Sequence, residues 1–575
     1  MNNIKGRSED VKAYCIAAGF IFLFIGPLLK YKPAYDYVIV KNITGFLFCI
    51  LLSAAFILKN KVFNFNRHSF RVFLLFAGWI LLSALMAPVK HGAAKQLEEY
   101  LLYFMIFVCA MNSVIEKKWF YFWLGAGFIA SLLAIFQFFG ELKYPVSTFG
   151  NPNFFAGHIM MLIVISFSAI FSETIEKKER AAFIVFLAAA FTALILVKSR
   201  AAIFATFFGI STVMLIVNSK GSFIKKWGFF IFLFAVAVFL FPTIHNWFTT
   251  NIRVYLWRGT LAMIKRNPVT GWGLGNFVFF YPYFRIKEYF LQAESTPTTT
   301  HAHNEYLHIW SETGILGLFL FIALLAVIVF LLRKSVKKDC FENIVFIGVI
   351  GGFAAVLIDN IFSTNLRNPS TAMYFWFLMG LSAGKIKQQE TSLDVSKILW
   401  YTILLVSLVM CVFTSFYRVL PEVYLKRGIW AKDNGNAGEA IDNYLVVSSI
   451  NPYNYISRYK LAYVYGETGR LEESKKVYLE IHNGIFPHFA KLDANLGTVY
   501  LRQGAYTEAL RYYKWEEWFN PYDIDVLCSI ASIYFIYYDD VEKGMKYINR
   551  VLVRDNANVY ANNVIKMLKE EGKIK

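Results

Sequence analysis

Apolar residues fall in repeated runs along the first 420 positions, and short polar or basic segments separate one run from the next. A helical run of about 20 residues crosses the hydrocarbon core of a bilayer. The runs lie at about 12–29, 43–58, 72–89, 101–115, 119–139, 154–172, 181–197, 201–217, 227–245, 305–332, 343–362, 370–384 and 398–416. The pattern predicts an all-α, polytopic membrane domain over residues 1–420 with about 13 transmembrane helices.

The amino-acid composition supports a membrane protein. Of 575 residues, 57% are hydrophobic and 17% are charged, which is too apolar for a soluble protein of several domains. The polar stretch from Met1 to Lys12 precedes an apolar run with no small-residue cleavage site after it, so we expect an uncleaved first span. The six cysteines are scattered without C-x-x-C spacing, and neither a disulfide framework nor a zinc site is indicated.

The formal net charge of +19 arises in the short segments between apolar runs, which argues against nucleic acid as a partner. The basic clusters that fall on alternate turns are Lys59/Lys61/Arg67/Arg71, Lys117/Lys118, Lys177/Lys178/Arg180, Lys220/Lys225/Lys226, Arg333/Lys334/Lys337/Lys338 and Lys385/Lys387. All of them can face the cytoplasm at once, with the N-terminus inside. Residues 140–153, the turn at 198–200 and a large loop at about 246–303 then lie outside.

From about Tyr424 the composition becomes that of a soluble helical domain, which we assign to residues 424–575. Turn residues recur every 34 or 35 positions, at Gly435, Gly469, Gly504 and Asp539. A small residue follows each of them five positions later, at Ala440, Ser474, Ala509 and Gly544. Prolines recur at the same interval, at Pro452, Pro487 and Pro521. This resembles tetratricopeptide repeats, in about four units of which the last is degenerate. With an odd number of spans, this α-solenoid is extracytoplasmic, and its concave shape suggests a protein partner.

Two features of the large outer loop predict local structure. Arg253 to Ile264 has the pattern of an amphipathic helix at the membrane interface, and Asn267-Pro268 ends it. Gly271, Gly273 and Gly275 are expected to be turn residues, because no strand precedes them as a nucleotide-binding motif would require.

The segment from Thr298 to Asn304 carries hydroxyl groups and two histidines, and it runs directly into the apolar helix that begins near residue 305. Within about one helical turn, the residues change from polar and titratable types to almost purely apolar types. A candidate base is therefore held at the edge of the membrane, which suits chemistry on a lipid-linked substrate.

His303-Asn304, followed after nine residues by Gly314 and after two more by Gly317, resembles the signature of bacterial O-antigen ligases between their large periplasmic loop and the next span. Similar flanking blocks are the segments Gly271 to Phe277, Glu312 to Gly317 and Gly150 to Gly157, the pair Ser199-Arg200, and Arg253 with Trp257. The resemblance covers roughly residues 140–385. The superfamily that it indicates also includes O-antigen polymerases and pilin O-oligosaccharyltransferases. It implies a GT-C-like membrane fold.

Glycan transfer from a polyprenyl diphosphate needs an acceptor hydroxyl to lose its proton and a departing diphosphate to be stabilised. A neutral His303, kept unprotonated by the positive end of a helix dipole, can take the proton. Arg200 and Arg253 are preferred for the diphosphate because guanidinium binds phosphate bidentately, and Arg258 ranks below Arg253. The resemblance implies the same roles, inversion at the sugar and no metal.

Supporting roles are expected for Asn304, His301, Asn151, Asn153, Gly314 and Gly317, and for Asp359-Asn360 and Arg367-Asn368-Pro369, which resemble a weaker block of the same superfamily. Simpler interpretations stay open for several of these residues. The His303-Asn304 pair also suits a helix cap, Arg200 also suits an arginine that reaches lipid headgroups, and Asn151 and Asn153 also suit a structural turn. His301 and His308 also suit purely structural roles.

These observations predict an O-antigen ligase-like glycosyltransferase. We expect it to move an oligo- or polysaccharide from an undecaprenyl-diphosphate donor in the bilayer to a lipid, glycan or protein acceptor hydroxyl, without metal or other cofactor. A polymerase and a protein O-oligosaccharyltransferase of the same superfamily are alternatives. A non-catalytic transport or assembly protein is a fourth hypothesis, although the charged residues crowd the outer surface instead of the membrane centre.

Overall fold

A computed structural model describes residues 2–217, 251–292, 299–337, 340–386 and 389–574. The helices of the membrane domain are Asn2–Ile25, Val40–Leu58, Arg67–Met86, Lys90–Met111, Lys117–Phe139, Pro152–Ala169, Lys177–Leu196, Arg200–Val217, Glu305–Ser335, Phe341–Asp359, Pro369–Lys385 and Leu393–Phe413. The described part of the large loop, residues 251–292 and 299–304, contains helices Ile252–Arg266, Phe277–Phe280 and Lys287–Gln292, with a 3-10 turn at Tyr281–Phe284. The all-α prediction is confirmed.

Ten helices in the described ranges are long and apolar enough to cross a membrane. The predicted spans at 101–115 and 370–384 also fold as helices, Lys90–Met111 and Pro369–Lys385, but these fall outside the ten. The first of them carries Glu98 and Glu99, and the second has 17 residues. The predicted span at 227–245 lies outside the described residues, so the number of spans stays a prediction.

The two ends of the helix bundle differ in character. At one end, strands Asn64–Phe65 and Gln389–Glu390 pair antiparallel, and Lys117 forms an ion pair with Glu179 at 2.6 Å. The opposite end carries the loops around residues 29–39, 140–151 and 360–368, together with the large loop. The residues of the candidate site all belong to this second end.

The repeat domain follows the membrane domain without a break in the helix. A π-helical turn, Thr414–Val419, continues Leu393–Phe413 into the first repeat helix, Leu420–Asp433. The domain boundary predicted between residues 420 and 424 therefore falls inside a continuous helix. The remaining repeat helices are Ala437–Ile450, Tyr455–Glu467, Leu471–Glu480, Leu492–Arg502, Tyr506–Phe519, Ile524–Ile536, Val541–Arg554 and Val559–Glu570, with a second π-helical turn at Ile481–Ile485.

The recurring small residues explain how the repeat helices pair. Gly435, Gly469 and Gly504 have φ values of 79°, 81° and 75°, a conformation that reverses the chain after a helix and that glycine adopts without strain. Each is followed by a buried small residue, for example Ala440 and Ala509, which lets the two helices approach closely. These features confirm the tetratricopeptide-like prediction.

The repeat domain packs on the end of the bundle that holds the candidate site. The ring of His91 stacks on Tyr453 with centroids 4.9 Å apart, and Phe279 of the large loop packs on Phe486 at 4.6 Å. The backbone N–H of Tyr35 donates a hydrogen bond of 3.0 Å to the carbonyl oxygen of Glu422. The large loop is therefore held between the membrane helices and the repeats.

Candidate functional site

The segment 299–304 turns sharply before the helix Glu305–Ser335. His303 has a φ of 49°, which is uncommon for a residue with a side chain. The side-chain oxygen of Asn304 accepts a hydrogen bond of 3.0 Å from the backbone N–H of Leu307. Asn304 is therefore the helix cap, and the imidazole of His303 is not used for capping.

The helix Ile252–Arg266 lies against this histidine segment. It extends one or two residues beyond each end of the predicted helix, and the side chain of Asn251 caps it. The indole Nε1 of Trp257 donates a hydrogen bond of 3.1 Å to the carbonyl oxygen of Ala302. Arg253 lies one turn before Trp257 on the same face of the helix, and its Nη1 donates a hydrogen bond of 2.8 Å to the carbonyl oxygen of Phe362.

The side chain of His303 is exposed at its surface, yet surrounding protein atoms desolvate it enough to change its titration. Burial lowers the pKa of His303 to about 4, and the positive charge of Arg253 adds to this effect. The sequence analysis had attributed a neutral imidazole to the helix dipole. In the structure, desolvation and the neighbouring cation are causes that lower the pKa, and at a pKa of about 4 the imidazole is unprotonated at neutral pH.

A buried carboxylate lies behind Arg253. Asp359, at the end of its helix, accepts hydrogen bonds from Ser363 Oγ at 2.7 Å and from Asn365 Nδ2. Burial lowers the pKa of Arg253 and the negative charge of Asp359 opposes this shift. The weaker sequence block at 359–360 thus contributes a counter-charge to the predicted diphosphate arginine.

Arg200, Asn151 and Asn153 form a second group at the same end of the bundle. Asn151 caps the helix Pro152–Ala169 by accepting a hydrogen bond of 2.8 Å from the backbone N–H of Asn153. Asn153 Oδ1 in turn accepts a hydrogen bond of 2.9 Å from Ser199 Oγ, next to Arg200. Both asparagines therefore fix the turn that presents Arg200, which agrees with the structural-turn interpretation.

The packing of two antiparallel helices shows at which end of the bundle Arg200 lies. Arg200–Val217 and Phe341–Asp359 run antiparallel, because Gly351 contacts Val213 while Ala355 contacts Gly209. Arg200 begins its helix and Asp359 ends the antiparallel one, so both residues lie at the same end of this helix pair. Arg200 is exposed and forms no hydrogen bond or ion pair with any other described residue.

Arg258 does not share the surface of Arg253. It lies five residues further along the helix, which rotates it by about 140°. Its exposed guanidinium lies 5.9 Å from the ring centroid of Tyr255. The helix geometry supports the lower rank that the sequence analysis gave to Arg258.

Gly314 interrupts the helix Glu305–Ser335 with φ 70° and ψ 179°, a conformation that is essentially restricted to glycine. The kink frees backbone groups that the turn of the large loop then satisfies. Trp272 N–H and Gly273 N–H donate hydrogen bonds of 2.9 Å to the carbonyl oxygens of Ser311 and Glu312, and Ile315 N–H donates one of 2.9 Å to Pro268.

The spacing from His303 to the motif glycines therefore has a physical reason. A side chain at Gly314 would collide with the carbonyl group of Val269, and one at Gly317 would collide with Thr313. Gly314 serves the docking of the loop onto the span, whereas Gly317 leaves room for Thr313 and for Trp79 of the helix Arg67–Met86. Gly271, Gly273 and Gly275 all have positive φ values, as turn residues do.

A buried ionic network behind the histidine segment was largely missed by the sequence analysis. Arg367 Nε donates to Glu305 Oε1 at 2.9 Å, and its Nη1 lies 3.4 Å from Glu312 Oε2. Burial alone would lower the pKa of Arg367, but the carboxylates of Glu305 and Glu312 raise it above its ordinary value. The signal available in the sequence was a pair of glutamates near the start of a membrane span, where unpaired charge is costly.

His308 and His301 link this network to the loop. The backbone N–H of Ala302 donates to His308 Nδ1 at 3.2 Å, so that nitrogen carries no proton, and His308 Nε2 lies 3.4 Å from Glu312 Oε1. The rings of His301 and His308 are 5.4 Å apart. Burial, together with His308, lowers the pKa of His301 well below its ordinary value. Both histidines are positioned to support the loop that carries His303.

The described part of the chain contains a group of side chains with metal-ligand geometry, His482, His488 and Asp493. It lies in the repeat domain and none of its members belongs to the site around His303. The sequence analysis found no C-x-x-C spacing, expected no metal and did not identify this group.

The chain matches a family model described as O-antigen ligase (Wzy_C) over residues 183–322. No curated protein matches it. Two solved structures with similarity are a tetratricopeptide repeat protein from Parabacteroides merdae, with 20% identity, a TM-score of 0.23 and coverage of 24% of this chain and 56% of that protein, and MamA of AMB-1, with 16% identity, a TM-score of 0.22 and coverage of 29% and 90%. The chain thus spans about half the length of the first structure.

The matched residues include Arg200, Arg253, His303, Gly314 and Gly317, which the structure gathers at one end of the helix bundle. Residues 183–322 thus match the O-antigen ligase family model, and ten helices of the described part of the chain are long and apolar enough to cross a membrane.

Proposed function

We propose that this protein transfers an oligo- or polysaccharide from undecaprenyl diphosphate to an acceptor hydroxyl at the outer face of a bacterial plasma membrane. His303 is the general base, and Arg200 and Arg253 bind the diphosphate. The observation that carries the proposal is the joining of the Arg253 helix to the His303 segment through Trp257 and Ala302. It holds a neutral base and a permanent cation beside one another at the end of a membrane span.

The protonation state of His303 suits a general base. With its pKa lowered to about 4, the imidazole is free to accept a proton at neutral pH. Its exposure leaves it accessible to an acceptor hydroxyl. The network of His308, Glu312 and Arg367 holds the loop from behind.

The two arginines suit a diphosphate. A guanidinium carries five N–H donors, so the bond from Arg253 to Phe362 leaves others for phosphate oxygens. Arg200 is exposed at the N-terminus of its helix, where the helix dipole also favours an anion. Arg200 begins its helix at the end where the antiparallel helix finishes at Asp359, and Arg253 contacts Phe362 just beyond that point, so both arginines lie at the same end of the helix bundle.

The orientation of the protein follows from its charges. The basic clusters around Lys59, Lys117 and Lys385 lie at the end of the bundle opposite the site, and the positive-inside rule makes that end cytoplasmic. The site and the repeat domain then face the outside, where lipid-linked glycans are presented.

A protein acceptor is the second candidate, and the position of the repeat domain favours it. Phe486 and Phe519 of the repeats pack on Phe279 and Tyr283 of the large loop, with ring centroids 4.6 and 5.3 Å apart. A peptide held by the solenoid would therefore be delivered next to the loop that closes the site. Protein O-glycosylation and polymerisation use the same residues, so the acceptor decides between them.

The test is an in vitro transfer reaction. Purified full-length protein is incubated with an undecaprenyl-diphosphate oligosaccharide and, separately, with lipid, glycan and peptide acceptors, and products are identified by mass. We expect one acceptor class to gain the mass of the glycan, and His303→Ala to abolish the product while the variant inserts into membranes normally. A well-folded wild-type protein that yields no product with any acceptor would refute the proposal and favour a transport or assembly role.

A further inference from the structure

The group His482, His488 and Asp493 lies where the second repeat, which contains Gly469, departs from the pattern of the others and joins the third. Seventeen residues separate Gly435 from Pro452 and Gly504 from Pro521, but eighteen separate Gly469 from Pro487. The extra residue is accommodated by the π-helical turn Ile481–Ile485, which contains His482. Such single π turns are rare and are found frequently at functional sites.

The second histidine also replaces a residue that the neighbouring repeats share. Tyr453 and Tyr522 follow the repeat prolines in the other units, whereas His488 follows Pro487. The helix after Pro487 starts at Leu492, five residues on, and its first turn has no side-chain cap, while the helices after the other two prolines start three residues on with Asn454 and Asp523 as caps. The loop after Pro487 therefore lacks the regular helix start of the other repeats, and within it His488 has a φ of 60°.

These departures bring three ligand-type atoms together. His482 Nδ1 lies 2.9 Å from Asp493 Oδ1, and His488 Nδ1 lies 2.6 Å from Asp493 Oδ2. One ligand atom from each residue falls within 4.8 Å of the others. The Asp493 side chain is fully buried, and those of His482 and His488 are 9% and 13% exposed.

Direct hydrogen bonding accounts for only one of the two contacts between these histidines and Asp493. His488 and Asp493 share a hydrogen bond. His482 Nδ1 and Asp493 Oδ1, in contrast, lie 2.9 Å apart as an ion pair if the imidazole is protonated, but the contact falls outside hydrogen-bond geometry, and neither buried atom has another hydrogen-bond partner among the described residues. Buried polar atoms of this kind are normally satisfied, and a cation bound by both would satisfy them.

The rings of both histidines are held in place by aromatic neighbours. His482 stacks on Trp515 with centroids 5.0 Å apart, and His488 stacks on Phe519 at 3.8 Å. On its other side, His488 meets Tyr283 of the large loop edge-on at 5.6 Å. The group therefore lies at the junction between the repeat domain and the loop that docks on Gly314.

We propose that His482, His488 and Asp493 bind a divalent transition-metal ion of the zinc class, which fixes the junction of the second and third repeats against the large loop. Two imidazoles and one carboxylate are ligands that Zn²⁺ accepts and that Ca²⁺ or Mg²⁺ would not favour. Three protein ligands leave a fourth tetrahedral position for water. The ion is structural and stands apart from the transfer chemistry proposed for His303.

Metal binding by the full-length protein tests this proposal directly. The protein, with no polyhistidine tag, is stripped with chelator in detergent, dialysed against Zn²⁺, and its zinc content is measured. We expect about one Zn²⁺ per chain, and Co²⁺ in its place should give the intense visible bands of a tetrahedral site. Zinc should also raise the midpoint of thermal unfolding.

Variants then assign the ligands. His482→Gln and His488→Gln keep the size of the side chain and should each lower Zn²⁺ affinity by at least about tenfold, since loss of even an outer contact costs that much. His91→Gln, at the same domain junction but outside the group, should bind Zn²⁺ as the wild type does. A wild-type protein that binds no zinc, or variants that bind it equally well, would overturn the proposal. Neither result bears on glycan transfer, which is measured separately.

Discussion

The indole Nε1 of Trp257 donates a hydrogen bond of 3.1 Å to the carbonyl oxygen of Ala302, the residue before His303. This bond joins the helix that carries Arg253 to the loop that carries the predicted base. Trp257→Phe keeps an aromatic ring but loses the donor. We expect transfer activity to fall by about tenfold to a hundredfold, because small displacements of catalytic groups are costly.

The measurement for Trp257 is the initial rate of glycan transfer in detergent or proteoliposomes. Trp430→Phe is the matched control, because Trp430 is exposed on the repeat domain, and it should leave the rate unchanged. A Trp257→Phe enzyme with wild-type rates would show that this link does not position His303.

The pKa of His303 predicts the acid limb of the pH–rate profile. Burial and Arg253 lower it to about 4, so the imidazole is already unprotonated at neutral pH. We expect kcat/KM to stay constant as the pH falls to about 5.5 and then to decline as His303 is protonated near pH 4. An acid limb near pH 6.5, the ordinary value of a histidine, would contradict the buried environment described here.

Lysine substitutions separate the arginines that bind diphosphate from one that does not. Arg200→Lys and Arg253→Lys keep the charge but lose the planar pair of donors that matches phosphate oxygens. We expect each to lower the rate by more than about tenfold, while Arg258→Lys, on another face of the helix, should stay near wild type. Rates and KM for the lipid-linked donor are the measurement, and equal effects at all three positions would remove the assignment.

Gly314→Ala tests the docking of the large loop on the kinked span. Alanine at φ 70° and ψ 179° is strained by about 1–3 kcal/mol, and its side chain would also collide with the carbonyl of Val269. We expect a lower thermal unfolding midpoint and loss of transfer. Gly78→Ala is the control because its added methyl group meets no described atom. Unchanged stability in Gly314→Ala would argue against the kink.

Arg367→Met leaves Glu305 and Glu312 buried without their cation. Removing one partner of a buried ion pair destabilises a protein by about 3–5 kcal/mol, so we expect a clear fall in the unfolding midpoint. Arg266→Met, at an exposed helix end, should change the free energy of unfolding by less than about 0.5 kcal/mol. If both variants unfold alike, the network contributes little.

Several parts of the site followed from local sequence pattern. His303, Gly314 and Gly317 were found from their spacing, and the helix that carries Arg253 was predicted to within two residues. The repeats were found from their period of 34 or 35 residues. Such features are visible in sequence because each depends on residues within one or two turns of chain, where helix geometry fixes the neighbours.

The sequence by itself determined the membrane helices, the repeats and the residue types at the candidate site, because hydrophobic period and residue chemistry are local properties. Only the tertiary structure decided which charges meet. Arg367 bonds to Glu305, 62 residues away in the sequence, and Trp257 bonds to Ala302, 45 residues away. The His482–His488–Asp493 group depends on a π turn that interrupts one repeat. Burial decides the protonation of His303, and burial depends on how separate helices pack.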